Sequence, residues 1–204
     1  HRRGSDTLKE IVKCCARIGI KYLTAYAFST ENWKRPKDEV DALMNLLEEF
    51  LSRAHEELSG SDIRINVIGD ITKLPKSLIE KIYDVENMTK NNAGLQFNIA
   101  LNYGGRDEIV SAIKKICQDV KDRKLEINDI NEQVVNSKLY TYNIPDPDLI
   151  IRTAGEKRVS NFLLWQLAYS ELWTCDVLWP DFTEKHLLDA ISEYQKRERR
   201  YGGL

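Results

Sequence analysis

Apolar residues recur along this chain in two alternating rhythms, one of helical spacing and one of strand alternation. Leu8, Ile11, Val12, Cys15 and Ile18 fall on one helical face, which predicts a helix capped by Ser5 and stopped by Gly19. Tyr22 to Phe28, YLTAYAF, then has the length and aromatic content of a buried strand and opens into a polar turn, Ser29, Thr30, Glu31 and Asn32. Trp33, Lys34, Arg35 and Pro36 lead into a helix of about 20 residues from Lys37 to Leu58. Its stripe is Val40, Leu43, Met44, Leu47, Phe50, Leu51, Ala54 and Leu58. Core packing is the default use of such a stripe, and the wall of an apolar channel is the other. Trp33 is read equally well as a lid over an anionic ligand with an apolar tail and as an anchor for the helix that follows.

The rhythm continues through the second half. Ile63 to Ile68 alternates as a strand ending at Gly69 and Asp70, and Leu78, Ile82, Val85 and Met88 mark a helix. Leu95, Phe97, Ile99 and Leu101 alternate through a further strand, which runs into Asn102, Tyr103, Gly104, Gly105 and Arg106 before a helix carrying Ile109, Ile113, Ile116 and Val120. A strand, glycine turn and helix start presents backbone N–H groups to phosphate. The turn is neither a G-x-G-x-x-G fingerprint nor a P-loop, so a nucleotide-binding regulatory domain fits the fold but lacks its motif. Leu125 to Asp148 is polar and weakly periodic, a short helix and loop. Leu149 to Ile151 is a short buried-strand run, Phe162 to Trp173 an aromatic-rich helix, Asp176 to Trp179 a last strand, and Thr183 caps a helix with Leu187, Leu188, Ile191 and Tyr194.

Helix and strand alternating with five strand candidates predict an α/β fold, a single domain with a mostly parallel central sheet and helices on both faces. The polar clusters Ser29 to Arg35, Asn102 to Arg106 and Arg152 to Ser160 each follow the carboxyl end of a strand. A doubly wound sheet brings such clusters to one edge, where ligands bind. Two arginines there, Arg152 and Arg158, with the Ser160 hydroxyl suit a diphosphate, because a guanidinium fork matches phosphate oxygens two at a time. The alternative places Arg152 and Arg158 in surface ion pairs with Glu156 and Glu171, which count for little. Glu171 sits in an otherwise apolar segment, where a carboxylate is either exposed on a polar stripe or kept for work such as holding Mg²⁺ against phosphate.

Composition narrows the classes. With 42% hydrophobic and 30% charged residues over 204 positions the chain can bury one sizeable core, and no repeat or linker divides it. A net charge of −2 argues against a general nucleic-acid binder, the local basic excess being Lys196, Arg197, Arg199 and Arg200. Cys14, Cys15, Cys117 and Cys175 form no disulfide framework, which suits a reducing, cytoplasmic setting. His1, His55 and His186 are too scattered for a zinc site, and no apolar run reaches the roughly 18 residues of a membrane span.

The stretches YAFSTENWKRP, NIALNYGGR, DLIIRTAGEKRVSNFLLWQLAYSELW and RERRYGG together resemble the cis-prenyltransferases, most closely the bacterial undecaprenyl diphosphate synthases, from His1 to Gly203. The resemblance implies successive condensation of isopentenyl diphosphate onto an allylic starter such as farnesyl diphosphate, with Mg²⁺. The product implied is a long cis-polyprenyl diphosphate, the undecaprenyl carrier lipid of cell-wall synthesis. It implies that Arg152, Arg158 and Ser160 hold the isopentenyl diphosphate head group and that Glu171 helps place Mg²⁺. Ser29, Glu31, Asn32, Trp33 and Arg35 match the mobile segment that closes over the substrates, Asn32 as its catalytic member, and His1 matches a histidine near the diphosphates. A homodimer and peripheral membrane contact through the lipid product are implied as well.

The family's first strand ends in an Asp-Gly-Asn-Gly-Arg-Trp-Ala motif upstream of the position matching His1, outside these 204 residues. The expectation is therefore a domain over 1–204 without that catalytic segment and with weak turnover by itself. The alternative is a non-catalytic, diphosphate-binding partner subunit of a heteromeric cis-prenyltransferase. Such subunits usually lose the pocket arginines, whereas Arg35, Arg152 and Arg158 are all present.

Overall fold

The protein is described here by a computed structural model, which covers residues 2–57 and 61–199. The strands among the described residues are β1 (Tyr22–Ser29), β2 (Arg64–Ile68), β3 (Gln96–Tyr103), β4 (Leu149–Arg152) and β5 (Glu171–Thr174). The helices are α1 (Arg2–Arg17), α2 (Lys37–Glu57), α3 (Lys76–Thr89), α4 (Gly105–Lys121), the short α5 (Glu132–Asn136) and α6 (Glu184–Lys196). His1, Leu58 and the end of the RERRYGG stretch lie outside the described residues.

Every strand pairing is parallel, as the helix–strand rhythm requires. β3 lies between β1 and β2, and β4 pairs with β5 in a separate two-stranded unit. The expected central sheet is thus two parallel blocks, joined through side chains instead of one continuous ladder. Leu149 and Ile151 of β4 pack against the same apolar cluster that holds Phe28 of β1 and Phe97, Ile99 and Leu101 of β3. That cluster also takes Ile11 and Val12 from α1, Met44 and Leu51 from α2, Leu78, Ile82 and Val85 from α3, and Leu187 and Ala190 from α6.

The alternate residues of β3 point the other way. Asn98 is fully buried in the middle of the sheet. Its Oδ1 accepts from Asn66 Nδ2 at 3.1 Å and Gln96 Nε2 at 2.9 Å, and its Nδ2 donates to Thr24 Oγ1 at 3.2 Å. This polar row crosses β1, β3 and β2 in register, Thr24 beside Asn98 beside Asn66. A slip of β2 or β1 against β3 would break the Asn66 or the Thr24 bond to Asn98, so the row favours this pairing.

Four local expectations need correction. Ser5 is inside α1, which already runs at Arg2, and the helix closes at Gly19 (φ 82°) with Ile20 N donating to Cys15 O and Gly19 N to Ala16 O. That double bond is a Schellman closure, for which glycine supplies the left-handed residue. In α4 the buried face is Gly105, Glu108, Ala112 and Ile116, while Ile113 is 52% exposed. Asp176–Trp179 is not a strand; β5 forms earlier, at Glu171–Thr174, because that run sets Trp173 beside Ile151 and buries it. Phe162 to Ser170 is a string of turns, not a helix, for reasons of backbone geometry given below.

Glu86 on α3 supplies a pH test. Its Oε1 accepts from Val67 N at 2.7 Å, and burial raises its carboxyl above the usual range, outweighing that bond and the Arg64 charge. A carboxyl raised in the folded state binds protons that the unfolded chain releases, so stability falls as pH rises through this window. Glu86→Gln keeps an acceptor for Val67 and removes the buried charge. It is expected to melt higher than the native protein at pH 7, with the difference gone below about pH 4, where both states are protonated.

Candidate active site

The three polar clusters meet at the carboxyl ends of β1, β3 and β4. After β1 the chain makes a 3-10 turn, Thr30–Lys34, opened by Ser29 N donating to Asn32 Oδ1 at 2.9 Å. Asn32 therefore spends its side-chain oxygen on the turn that carries it. Trp33 is 38% exposed, its ring edge-on to Phe28 at 5.0 Å, and its Nε1 donates to Asn102 Oδ1 at 2.7 Å. Asn102 is buried, left-handed (φ 44°), and also donates from Nδ2 to Asp70 O at 2.7 Å. These bonds make Trp33 an anchor between the ends of β1 and β3. Arg35 reaches forward one helical turn to Glu39 Oε1 at 2.5 Å on the exposed start of α2.

β3 ends at Tyr103, and Gly104 and Gly105 start α4 as the sequence indicates. Close approach explains why neither carries a side chain. A Cβ on Gly104 would stand 2.6 Å from Thr30 Oγ1 and 2.9 Å from both Asn161 Nδ2 and Asp107 Oδ2; one on Gly105 would stand 2.7 Å from Leu164 Cγ. Thr30 Oγ1 donates to Asp107 Oδ2 at 3.2 Å, fastening the 3-10 turn to the first turn of α4.

The third cluster follows β4. Arg152 is the last residue of that strand, partly buried, and its Nε is buried with no hydrogen-bond partner among the described residues. Arg158 is exposed and pairs with Glu156. Ser160 is exposed and left-handed (φ 50°). Asn161 (φ 62°) and Leu163 (φ 47°) are left-handed too, and three such residues in four positions break the helix that the apolar pattern predicts. Asn161 instead donates from Nδ2 to Glu31 Oε1 at 2.8 Å and accepts from Arg106 N on Oδ1 at 2.9 Å, while its carbonyl accepts from Gly105 N at 2.7 Å.

Below this surface lies a buried carboxylate that no sequence pattern flagged. Glu108 is 1% exposed, and accepts from Tyr103 Oη at 2.5 Å, Gln166 Nε2 at 3.0 Å and Tyr140 N at 2.8 Å. Tyr26 stacks on Phe162 at 4.5 Å beside it, and Tyr103 stands edge-on to both rings. Burial first, and the Glu108 charge next, push the Tyr103 phenol far up, so it stays a neutral donor. Burial likewise raises the Glu31 carboxyl, but bonds from Asn161 and from the turn itself outweigh it, leaving the group below the usual glutamate range and ionised at neutral pH.

A cavity of about 560 Å³ opens next to Trp33, lined by Val40, Met44 and Leu74 on its apolar side and by Asp41, Asn45 and Lys73 on its polar side. The stripe of α2 thus serves both the core and a cavity wall. Leu95, Phe97 and Ile99 take no part in that wall; they are sealed in the core at 2% exposure or less.

The match to known proteins follows these motifs. Residues 1–202 fit the prenyltransferase family model of undecaprenyl diphosphate synthase. The chain belongs to that family. It is 53% identical over 204 residues to an isoprenyl transferase of Clostridium tetani, covering all of this chain and 80% of that protein. An isoprenyl transferase of Bacillus anthracis is 50% identical over 204 residues, with 79% of it covered. Among solved structures, lavandulyl diphosphate synthase from Lavandula x intermedia, in complex with dimethylallyl diphosphate, superposes with a TM-score of 0.95 at 41% identity, over 99% of this chain and 87% of that one. A probable undecaprenyl diphosphate synthase from Campylobacter jejuni gives a TM-score of 0.87 at 39% identity, over 99% and 93%. The chain is thus a cis-prenyltransferase in fold and in enzyme class, with isoprenoid diphosphates as the substrate class.

Two family expectations meet a different arrangement here. Glu171, expected beside Mg²⁺, accepts from Arg197 Nη1 at 2.7 Å, and the same nitrogen reaches Leu172 O at 3.1 Å. Among the described residues no group of three His, Cys, Asp or Glu side chains gathers to hold a metal ion. One carboxylate already bonded to an arginine is not a cation site, so the described residues do not by themselves fit the ion. His1 lies outside the described residues. No described helix is long and apolar enough to cross a membrane.

Proposed function

We propose that this chain condenses isopentenyl diphosphate successively onto an allylic diphosphate such as farnesyl diphosphate, making a long cis-polyprenyl diphosphate, the undecaprenyl carrier lipid used in cell-wall synthesis. The observation that carries the proposal is Arg152. A buried guanidinium donor without a partner costs free energy unless an anionic ligand satisfies it, and among the described residues Arg152 Nε is such a donor, at the carboxyl end of a parallel strand. Arg158 and Ser160 follow on the same loop and supply further donors for the isopentenyl diphosphate head group.

The chemistry asked of these residues is electrostatic. Departure of the allylic diphosphate builds negative charge, and cations fixed in place beforehand stabilise it without reorganising during the reaction. Arg35 and the exposed end of the Thr30–Lys34 turn face that task, with Ser29, Glu31, Asn32 and Trp33 forming the segment over the substrates. Asn32 orients the turn through its bond to Ser29 N. Val40, Met44 and Leu74 offer the growing prenyl chain an apolar wall, and Trp33 lines the same cavity.

The proposal includes Mg²⁺ as the cofactor, for which Glu171 would be this chain's carboxylate once released from Arg197, the family's upstream motif supplying the rest. It also includes a homodimer working in the cytoplasm at the membrane surface, and one catalytic domain over 1–204 completed by the family's upstream motif. Labelled isopentenyl diphosphate, supplied with farnesyl diphosphate and Mg²⁺ to the protein carrying that motif, is expected to enter a lipid-extractable product. No incorporation under these conditions sinks the proposal.

A further inference from the structure

We infer that Asn161 is a positioning residue that couples the two halves of the diphosphate site, so that isopentenyl diphosphate held on the Arg158–Ser160 loop also holds the Thr30–Lys34 turn in place. The inference rests on the reading of Arg152, Arg158 and Ser160 as the head-group site.

The geometry is that of a bridge. Glu31 and Asn161 are separated by 130 positions, yet Asn161 Nδ2 lies 2.8 Å from Glu31 Oε1. The same amide accepts from Arg106 N on Oδ1 at 2.9 Å, and the Asn161 carbonyl accepts from Gly105 N at 2.7 Å. One residue next to Ser160 therefore touches the segment after β1 and the start of α4 together. Its φ of 62° is a conformation that asparagine tolerates better than most residues. Gly104 leaves the room, since a Cβ there would press on Asn161 Nδ2 and Thr30 Oγ1 alike.

The bonds also separate two roles that Asn161 combines. Those to Gly105 and Arg106 satisfy N–H groups at the start of α4, as any helix beginning requires. The bond to Glu31 satisfies nothing in α4. It ties an exposed carboxylate on the turn to the residue after the head-group serine, and an interaction placed between two binding segments makes occupancy of one stabilise order in the other.

Asn161→Asp divides these roles. An aspartate oxygen still accepts from Arg106 N, and the backbone bond to Gly105 is untouched, but the donor facing Glu31 becomes a second carboxylate. Glu31→Gln with Asn161→Asp restores the bridge with donor and acceptor exchanged. The measurement is backbone hydrogen exchange over residues 29–35, with and without isopentenyl diphosphate, with binding followed by calorimetry.

In the native chain the ligand is expected to slow exchange at Thr30–Lys34 about fivefold or more, the scale of a modest coupling between sites. Asn161→Asp should bind the ligand and lose that protection, and the double variant should regain it. Glu31→Ala, at an exposed position, should lose it too, which keeps the test open if a variant at 161 does not fold. Protection that persists in Asn161→Asp or Glu31→Ala, or fails to return in the double variant, overturns the coupling and leaves the head-group site standing. A native chain that does not bind isopentenyl diphosphate overturns the site itself, and the coupling with it.

Discussion

Arg152→Ala is expected to weaken isopentenyl diphosphate binding by about ten- to a hundredfold, because a charge-assisted hydrogen bond to phosphate is worth roughly 1.5 to 3 kcal/mol. Calorimetric titration of the protein measures it, and unchanged affinity rules out the head-group role. A second readout separates this role from that of a surface ion pair. Arg152 Nε is buried with no hydrogen-bond partner among the described residues, so the side chain is held at a cost that a ligand recovers. Arg152→Met should therefore bind poorly and melt at least as high as the native protein, the opposing signs of a residue retained for function. A residue kept for a structural ion pair would lose stability on the same change. Arg152→Lys should not rescue binding, since an ammonium cannot reproduce the two-pronged guanidinium geometry. Arg158→Ala should cost less, because Arg158 is exposed and must first give up Glu156.

Glu108→Ala is expected to produce the largest loss of stability of any change at the site. Three donors converge on that carboxylate, Tyr103 Oη and Gln166 Nε2 buried and Tyr140 N part-buried. Stranding a buried donor costs roughly 1 to 3 kcal/mol, so a loss of roughly 3 kcal/mol or more follows. For a chain of this size that lowers Tm by about 6 to 12 °C. Glu108→Gln still offers one oxygen and should lose less. Equal melting of Glu108→Ala and the native protein would show that the three donors find other acceptors. Activity should fall alongside stability, since Gln166 anchors the turns that follow Ser160.

How much of this was legible depends on the interaction that decides each element. Leu149–Arg152 and Tyr22–Ser29 were readable because each is a short, mostly apolar run, although most of its residues are only half-buried, and the three polar clusters were readable because each ends a strand. Their meeting followed from parallel topology alone, and bonds such as Trp33 to Asn102 and Asn161 to Glu31 complete it. Phe162 to Ser170 was not readable. Its apolar spacing suits a helix, but the backbone turns left-handed at Ser160, Asn161 and Leu163, and Asn161 is held there by long-range bonds to Glu31, Gly105 and Arg106. Glu108 was missed for the opposite reason: a charged residue in the first turn of a helix is the ordinary surface pattern, and its three donors come from positions 5, 32 and 58 residues away. The nearest clue was Ile113 on the same helix, an apolar residue that turned out to face solvent.

The left-handed backbone from Ser160 to Leu163 also limits how this segment can drift over generations. At φ of 47° to 62° a branched β-carbon crowds its own main chain, so valine, isoleucine and threonine are strongly disfavoured at Ser160, Asn161 and Leu163 even where there is room for them. Glycine fits the backbone at all three, but it would empty the place of Leu163, which is buried against Tyr103. Between these limits the alphabet open to the segment is short, and accessibility to solvent alone would overestimate it.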